Sequence, residues 1–155
     1  MISLKNTQRT IKVNTEQLKK DAALILDTLG YHDFDLGILL VNNKTMQAYN
    51  HDYRNQDKPT DILSFPCHTN IKAGERIVPE WEEEKNLGDI IIAPKYVMDD
   101  LPRWEKSFEE RMRVLLVHGI CHLLGYDHIE DEDYKVMHAQ ETLLLKKLAE
   151  SDLKV

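Results

Sequence analysis

The chain has 155 residues and a formal net charge of -7 at pH 7, and 42% of its residues are hydrophobic. This length and composition predict one globular domain over residues 1–155. The acidic excess excludes a protein that coats nucleic acid through bulk positive charge, although a local basic groove stays possible. Two cysteines do not make a disulfide scaffold, and no apolar run approaches a membrane span or a secretory signal. We therefore expect a cytoplasmic protein without a membrane partner.

The N-terminal region predicts a strand followed by a helix. Residues 2–4 indicate a short strand, and residues 11–13 either continue it or form a second strand. Asn14 and Gln17 resemble an N-cap pair ahead of apolar positions at helical spacing. Gly30 is a natural end for that helix, because glycine readily adopts the left-handed conformation that closes a helix.

Three short apolar runs are typical of buried strands, at residues 36–41, 62–65 and 87–93. A short helix is expected between the first two runs, at residues 43–50. The mixed polar and charged segment 67–86 indicates a surface loop.

The C-terminal half predicts helices. Pro94 suits the first turn of a short helix, and Ser107 with Glu110 forms a capping box. The box precedes residues 112–124, which are apolar nearly all round and therefore predict a central buried helix. A last helix is expected from Asp131. The sum is an α/β (α+β) fold, in which a small mixed sheet packs with about five helices in two or three layers.

Three histidines fall within the eleven-residue segment HGICHLLGYDH. His118 and His122 are four residues apart on the predicted central helix, so their side chains project from one face. Gly125 can take a positive φ, so the chain can turn back and bring His128 to the same point. The pattern HxxxHxxGxxH has the spacing of the metzincin zinc site. It predicts one zinc ion per chain, with a fourth coordination position open.

Core packing is the ordinary explanation for a buried histidine. Three imidazoles at this spacing would each need a separate polar partner, so a metal site is favoured. Gly119 stands where zinc proteases of the HExxH type carry their general base, so a peptidase would lack its proton shuttle. A structural zinc site is disfavoured as well, since such sites usually have four protein ligands and are rich in cysteine.

A second polar segment, NHDYRNQDKPTDILSFP, covers residues 50–66. Arg54 carries a planar guanidinium that suits a phosphate oxygen. On composition alone, a solvated loop with structural ion pairs is the preferred interpretation of this segment. Asp127 could orient a ligand histidine, and capping of the following segment is an equally favoured alternative.

Taken together, DYRNQDKPTDILSFP, LGDIII and HGICHLLGYDH resemble the YbeY family of bacterial rRNA maturation factors. The resemblance covers most of the chain from residue 50 to residue 130. It implies a zinc-dependent endoribonuclease that acts on single-stranded RNA in ribosomal RNA maturation, including the small-subunit rRNA 3′ end, and in ribosome quality control. It also implies zinc on His118, His122 and His128, a functional arginine at Arg54, and the ribosome and ribosomal proteins as partners, without a role on DNA.

Further roles follow as hypotheses. Zinc held by His118 and its two partners would act on the phosphodiester, and Arg54 would neutralise charge that develops on the phosphoryl oxygens. Lys58 and Lys72 are candidates to line an RNA path, although ordinary solvated lysines are the stronger interpretation. The alternatives to a nuclease are a ribosome assembly factor that carries zinc without cleaving RNA, and a metzincin-like zinc hydrolase.

Overall fold

The computed structural model describes residues 1–153 and shows, within them, a four-stranded mixed sheet with five α-helices. The strands are β1 (Ile2–Asn6), β2 (Asp35–Leu40), β3 (Ile62–Pro66) and β4 (Asn86–Ile92). The helices are α1 (Thr15–Leu29), α2 (Asn43–Arg54), α3 (Pro94–Asp99), α4 (Phe108–Leu123) and α5 (Asp131–Asp152). The predicted α/β fold with a central buried helix is confirmed. None of the helices in this part of the chain is both long and apolar enough to cross a membrane.

The sheet has the order β1-β2-β4-β3, so β4 lies between β2 and β3. β1, β2 and β4 are parallel to one another, while β3 runs antiparallel to β4. β3 is therefore an edge strand. Proline cannot donate a ladder hydrogen bond, and Pro66 is tolerated because it lies at the end of this edge strand.

Alternating side chains divide β4 between two apolar clusters. Ile90 and Ile92 point into the larger core, where the fully buried Leu116 and Ile120 of α4 lie. Ile91 points to the opposite face and joins a smaller cluster that contains Met46 of α2. Helices therefore cover both faces of the sheet, and α4 lies across the side that carries the main core.

The helix ends follow the local sequence closely. The Asn14 side chain accepts a hydrogen bond from the Gln17 backbone at 3.1 Å, and Gly30 adopts the left-handed conformation after α1. Ser107 and Glu110 form the predicted reciprocal capping box at the start of α4. Each such cap stabilises its helix by about 1 kcal/mol.

Residues 11–13 form neither a strand nor a continuation of β1. The buried side chain of Gln8 accepts a hydrogen bond from the Ile11 backbone N–H at 2.9 Å and donates one to the Ile11 carbonyl at 2.7 Å. This local contact occupies both backbone groups of Ile11, so they are not free for a sheet ladder.

An ionic cluster connects three helices. The Arg113 side chain of α4 donates to the buried carboxylate of Asp21 on α1 at 3.0 Å. It also donates to Asp152 near the end of α5 at 2.7 Å. The two hydrogen-bonded carboxylates raise the pKa of Arg113, so its charge is permanent.

Candidate metal centre

α4 places two histidines one turn apart on the same side of the helix. The Nε2 atoms of His118 and His122 lie 3.0 Å apart. Two nitrogens bound to one zinc ion at about 2.0–2.1 Å must lie within roughly 4 Å of each other, so this separation suits a shared ion.

Gly125 brings the third histidine to this point. Its φ is +89°, and a Cβ at this position would collide with the backbone carbonyl of Ile71. Only glycine fits here. The chain reverses with the positive φ that the sequence predicted, and His128 lies beside the other two rings. One ligand atom from each of His118, His122 and His128 lies within 4.8 Å of the others, so the three can hold a metal ion.

The outer ring nitrogens of the two helical histidines are already occupied. His118 Nδ1 lies 2.9 Å from a Glu141 carboxylate oxygen, and His122 Nδ1 lies 2.9 Å from the Tyr126 carbonyl oxygen. Both oxygens accept hydrogen bonds, so each Nδ1 carries the proton and each Nε2 is left with a lone pair. Two lone pairs that face each other at 3.0 Å repel unless a cation lies between them. The donor arrangement therefore fits a metal ion.

Burial, and to a smaller extent the neighbouring His118 and His128 rings, lower the pKa of His122 to about 4. A neutral imidazole is the form that ligates a metal. At pH 7 this ligand therefore needs no deprotonation before it binds.

The position after His118 is packed against the sheet. A Cβ on Gly119 would lie 2.9 Å from Ile62 Cδ1 and 3.0 Å from Ile90 Cδ1. The missing side chain lets α4 approach β3 and β4 closely. A side chain at this position would start against Ile62 and Ile90.

The three histidines lie in a cleft of about 450 Å³ between α4 and β3. Arg54, in the last turn of α2, lines the same cleft, and its side chain is exposed. The other residues that line the cleft are Thr60, Asp61, Ile62, Leu63, Ser64 and Pro66. Arg54 and the three histidines therefore line one cleft.

Asp61 is the one acidic residue that lines this cleft in the described part of the chain. Its carboxylate lies 3.4 Å from the buried Arg111 guanidinium and accepts a hydrogen bond from the Ile62 backbone at 2.8 Å. Arg111 in turn stacks over Trp104, with its guanidinium carbon 3.6 Å from a ring centroid. Asp61 is thereby fixed in the cleft wall with a cation behind it.

The remaining predicted residues lie elsewhere. Lys58 and Lys72 are exposed and do not line the histidine cleft, so their contact with RNA stays a prediction. Asp127 accepts a hydrogen bond from the Ile129 backbone at 3.3 Å, which is the capping alternative. The carboxylate that contacts a ligand histidine is instead Glu141, a residue that the sequence interpretation missed.

The fold and the cleft define a class, a small α/β protein in which two histidines of the central helix and a third beyond Gly125 could hold a metal ion. The sequence model of the family described as Endoribonuclease YbeY matches residues 3–149. A human protein named endoribonuclease YbeY is 36% identical over 145 residues, covering 94% of this chain and 86% of its own. A Legionella pneumophila protein of the same name is 34% identical over 142 residues, covering 92% of this chain and 85% of its own.

These similarities show that the chain belongs to the endoribonuclease YbeY family, as the sequence motifs indicated. The fold is also similar to the solution structure of TM1509 from Thermotoga maritima. That comparison has a TM-score of 0.64 at 22% identity and covers 99% of this chain and 93% of the other.

Proposed function

We propose that this chain is a zinc-dependent endoribonuclease that cleaves single-stranded RNA, with residues 1–155 acting as one domain. The observation that carries the proposal is that Arg54 and the three histidines line a single cleft. A guanidinium binds phosphate oxygens through paired hydrogen bonds, so a phosphodiester fits this cleft better than a neutral substrate. Membership of an endoribonuclease family points to RNA as the polymer.

Zinc suits the donor set at His118, His122 and His128. Three neutral imidazoles leave a fourth coordination position open, which is typical of catalytic rather than structural zinc. When bound, zinc would supply Lewis-acid polarisation of a phosphoryl oxygen. His128 is the exposed one of the three.

Each residue of the cleft would have a separate role in RNA cleavage. Arg54 would bind the phosphate and offset the negative charge that grows on its oxygens during cleavage. His118 would act as a ligand rather than as a proton carrier, because its Nδ1 faces Glu141 and its Nε2 faces His122. Asp61 and the hydroxyl groups of the cleft wall would bind polar groups of the RNA beside the reacting bond.

Peptide hydrolysis by the HExxH mechanism fits poorly. The general base of that mechanism follows the first histidine, and here Gly119 takes its place and faces Ile62 and Ile90. A glutamate side chain there would start into packed aliphatic groups.

The test combines metal analysis with cleavage of a labelled single-stranded RNA, and a duplex of the same sequence serves as the comparison. His118→Ala should lose both bound zinc and cleavage. Arg54→Ala should keep its zinc and lose about 10²- to 10³-fold in rate, as expected for removal of one group that stabilises transition-state charge. Arg54→Lys is the matched variant that keeps the charge without the planar fork, and we expect partial activity.

Arg9→Ala controls for the loss of an exposed arginine that does not line the cleft, and it should be neutral. Cleavage by metal-free His118→Ala at the wild-type rate would reject the enzyme hypothesis. Zinc binding without any RNA cleavage by the wild-type protein would favour an assembly factor that does not cut.

We further propose that the protein acts in the cytoplasm on ribosomal RNA, in maturation that includes the small-subunit 3′ end and in ribosome quality control. A net charge of -7 disfavours tight binding to naked RNA, so the ribosome and its proteins would bring the substrate to the cleft. Cleavage of precursor rRNA in small-subunit particles should therefore exceed cleavage of the same RNA when free. Equal rates on both substrates would contradict this part of the proposal.

A further inference from the structure

We propose that Glu141 is a positioning residue that fixes His118 in its metal-binding tautomer and thereby sets the affinity of the centre for zinc. The inference rests on the proposed metal site and extends it to α5. Glu141 lies 23 positions after His118, and its Oε2 atom is 2.9 Å from His118 Nδ1. The Glu141 side chain is 17% exposed and the His118 side chain 28%, so the contact is partly shielded from water.

The place of Glu141 on α5 is unusual for an acid. It falls on the helix stripe that also carries Met137, Leu144 and Leu148, each at most 1% exposed. A carboxylate among apolar neighbours is unfavourable unless it has a partner, and the His118 ring N–H is that partner. The apolar residues of the stripe already hold α5 against α4. Docking of the helix therefore does not require an acid at position 141.

The contact determines which nitrogen of His118 faces the metal. A carboxylate accepts the Nδ1 proton, which leaves the lone pair on Nε2, the atom that faces His122 Nε2. His122 has an equivalent but uncharged acceptor in the Tyr126 carbonyl. Glu141 can thus do what that carbonyl cannot: a negative charge behind the ring makes the imidazole a stronger donor. It would also offset part of the double positive charge that three neutral ligands leave on the ion.

The test measures zinc affinity by competition with a chelator in wild type, Glu141→Gln, Glu141→Ala and Glu150→Gln. The last variant is the matched control, because it removes an exposed acid from the same helix. Removal of a group that orients a metal ligand weakens binding by about 10- to 100-fold, and we expect Glu141→Ala to fall in that range. Glu141→Gln retains an acceptor but loses the charge, so a loss of roughly tenfold is expected. The control should bind like wild type.

Two further readouts separate positioning from a structural role. Nitrogen NMR of the metal-free protein should show His118 with its proton on Nδ1 in wild type and as a mixture of tautomers in Glu141→Ala. Glu141→Gln should keep the thermal midpoint of the metal-free wild type while its zinc affinity falls. If Glu141→Ala does not fold, Glu141→Gln alone distinguishes a positioning role from a structural one.

Zinc affinities of both Glu141 variants within twofold of wild type would overturn this inference and leave the proposed function standing. A wild-type protein that binds no zinc would instead reject the metal site itself, and the inference with it.

Discussion

Gly119 lies against Ile90 so closely that a Cβ at position 119 would be 3.0 Å from Ile90 Cδ1. This contact separates the protein from zinc peptidases that carry a glutamate directly after the first histidine. The position is buried between α4 and the sheet, so an acid introduced there would start among aliphatic side chains and away from water.

Gly119→Glu should therefore destabilise the fold without creating a peptidase. We expect a loss of about 3 kcal/mol or more in the free energy of unfolding, from the buried charge and the overpacked isoleucines. Gly119→Ala is the milder control: overpacking costs ~1–3 kcal/mol, and the better helix propensity of alanine offsets about 1 kcal/mol of it. Urea denaturation of the metal-free proteins measures both changes. A Gly119→Glu variant as stable as wild type would show that α4 does not pack as closely as described.

Gly125→Ala should damage both stability and metal binding. The positive φ alone costs roughly 1–2 kcal/mol for a residue with a Cβ, and the added methyl group would also collide with the Ile71 backbone. Gly74→Ala is a matched control, because Gly74 also has a positive φ of +85° but has no neighbouring atom within 4 Å of its Cβ position. Denaturation and zinc titration should show a larger loss for Gly125→Ala, and weaker zinc binding in that variant only. Equal losses in the two variants would contradict a role for the Gly125 turn in placing His128.

The caps of α1 and α4 could be predicted from sequence because each depends on residues three or four positions apart. The turn at Gly125 could be predicted for the same reason. The pairing of His118 with Glu141 could not, since it joins two helices 23 residues apart. An acid on the buried stripe of α5 was the available indication, and it becomes evident only when the helix phase is known.

The order of the strands in the sheet could not be predicted from sequence either. Its apolar runs indicated the strands, but the insertion of β4 between β2 and β3 depends on long-range pairing. The strand expected near residues 11–13 was wrong because one buried side chain, Gln8, binds both backbone groups of Ile11. Arg54 was placed in a possible solvated loop, whereas α2 extends to it and directs it to the cleft.

The metal-free protein should lose stability as the pH falls below about 6.5. The pKa of His122 drops from its ordinary 6.5 to about 4 on folding, chiefly through burial, so the unfolded chain binds more protons between these values. Stability should therefore be fully present above pH 6.5 and decline toward pH 4. Urea midpoints measured between pH 7.5 and 4.5 test this. His122→Asn should flatten the decline, whereas an Asn substitution at the exposed His138 should not. A wild-type midpoint that stays constant down to pH 4.5 would contradict the burial of a neutral His122.

The ionic cluster at Arg113 should contribute strongly to stability. Arg113→Met would leave the buried Asp21 carboxylate without a cation, with the Gln17 amide as its remaining donor, so we expect a loss of about 3 kcal/mol. Lys95→Met removes the cation of an exposed pair with Asp99, and a change below ~1 kcal/mol is expected there. Thermal and urea denaturation compare the two variants. Similar small losses in both would indicate that the Arg113 contacts add little to the packing of α1, α4 and α5.

X-ray absorption spectroscopy of the zinc-loaded protein tests the three-histidine centre most directly, with the zinc content measured on the same sample. We expect one zinc per chain, with three imidazole nitrogens at ~2.0–2.1 Å and one further oxygen or nitrogen ligand in the open position. The His118→Ala protein should lose this spectrum. A sulfur ligand at ~2.3 Å, fewer than three imidazoles, or a stoichiometry well below one would contradict a metal centre formed by His118, His122 and His128.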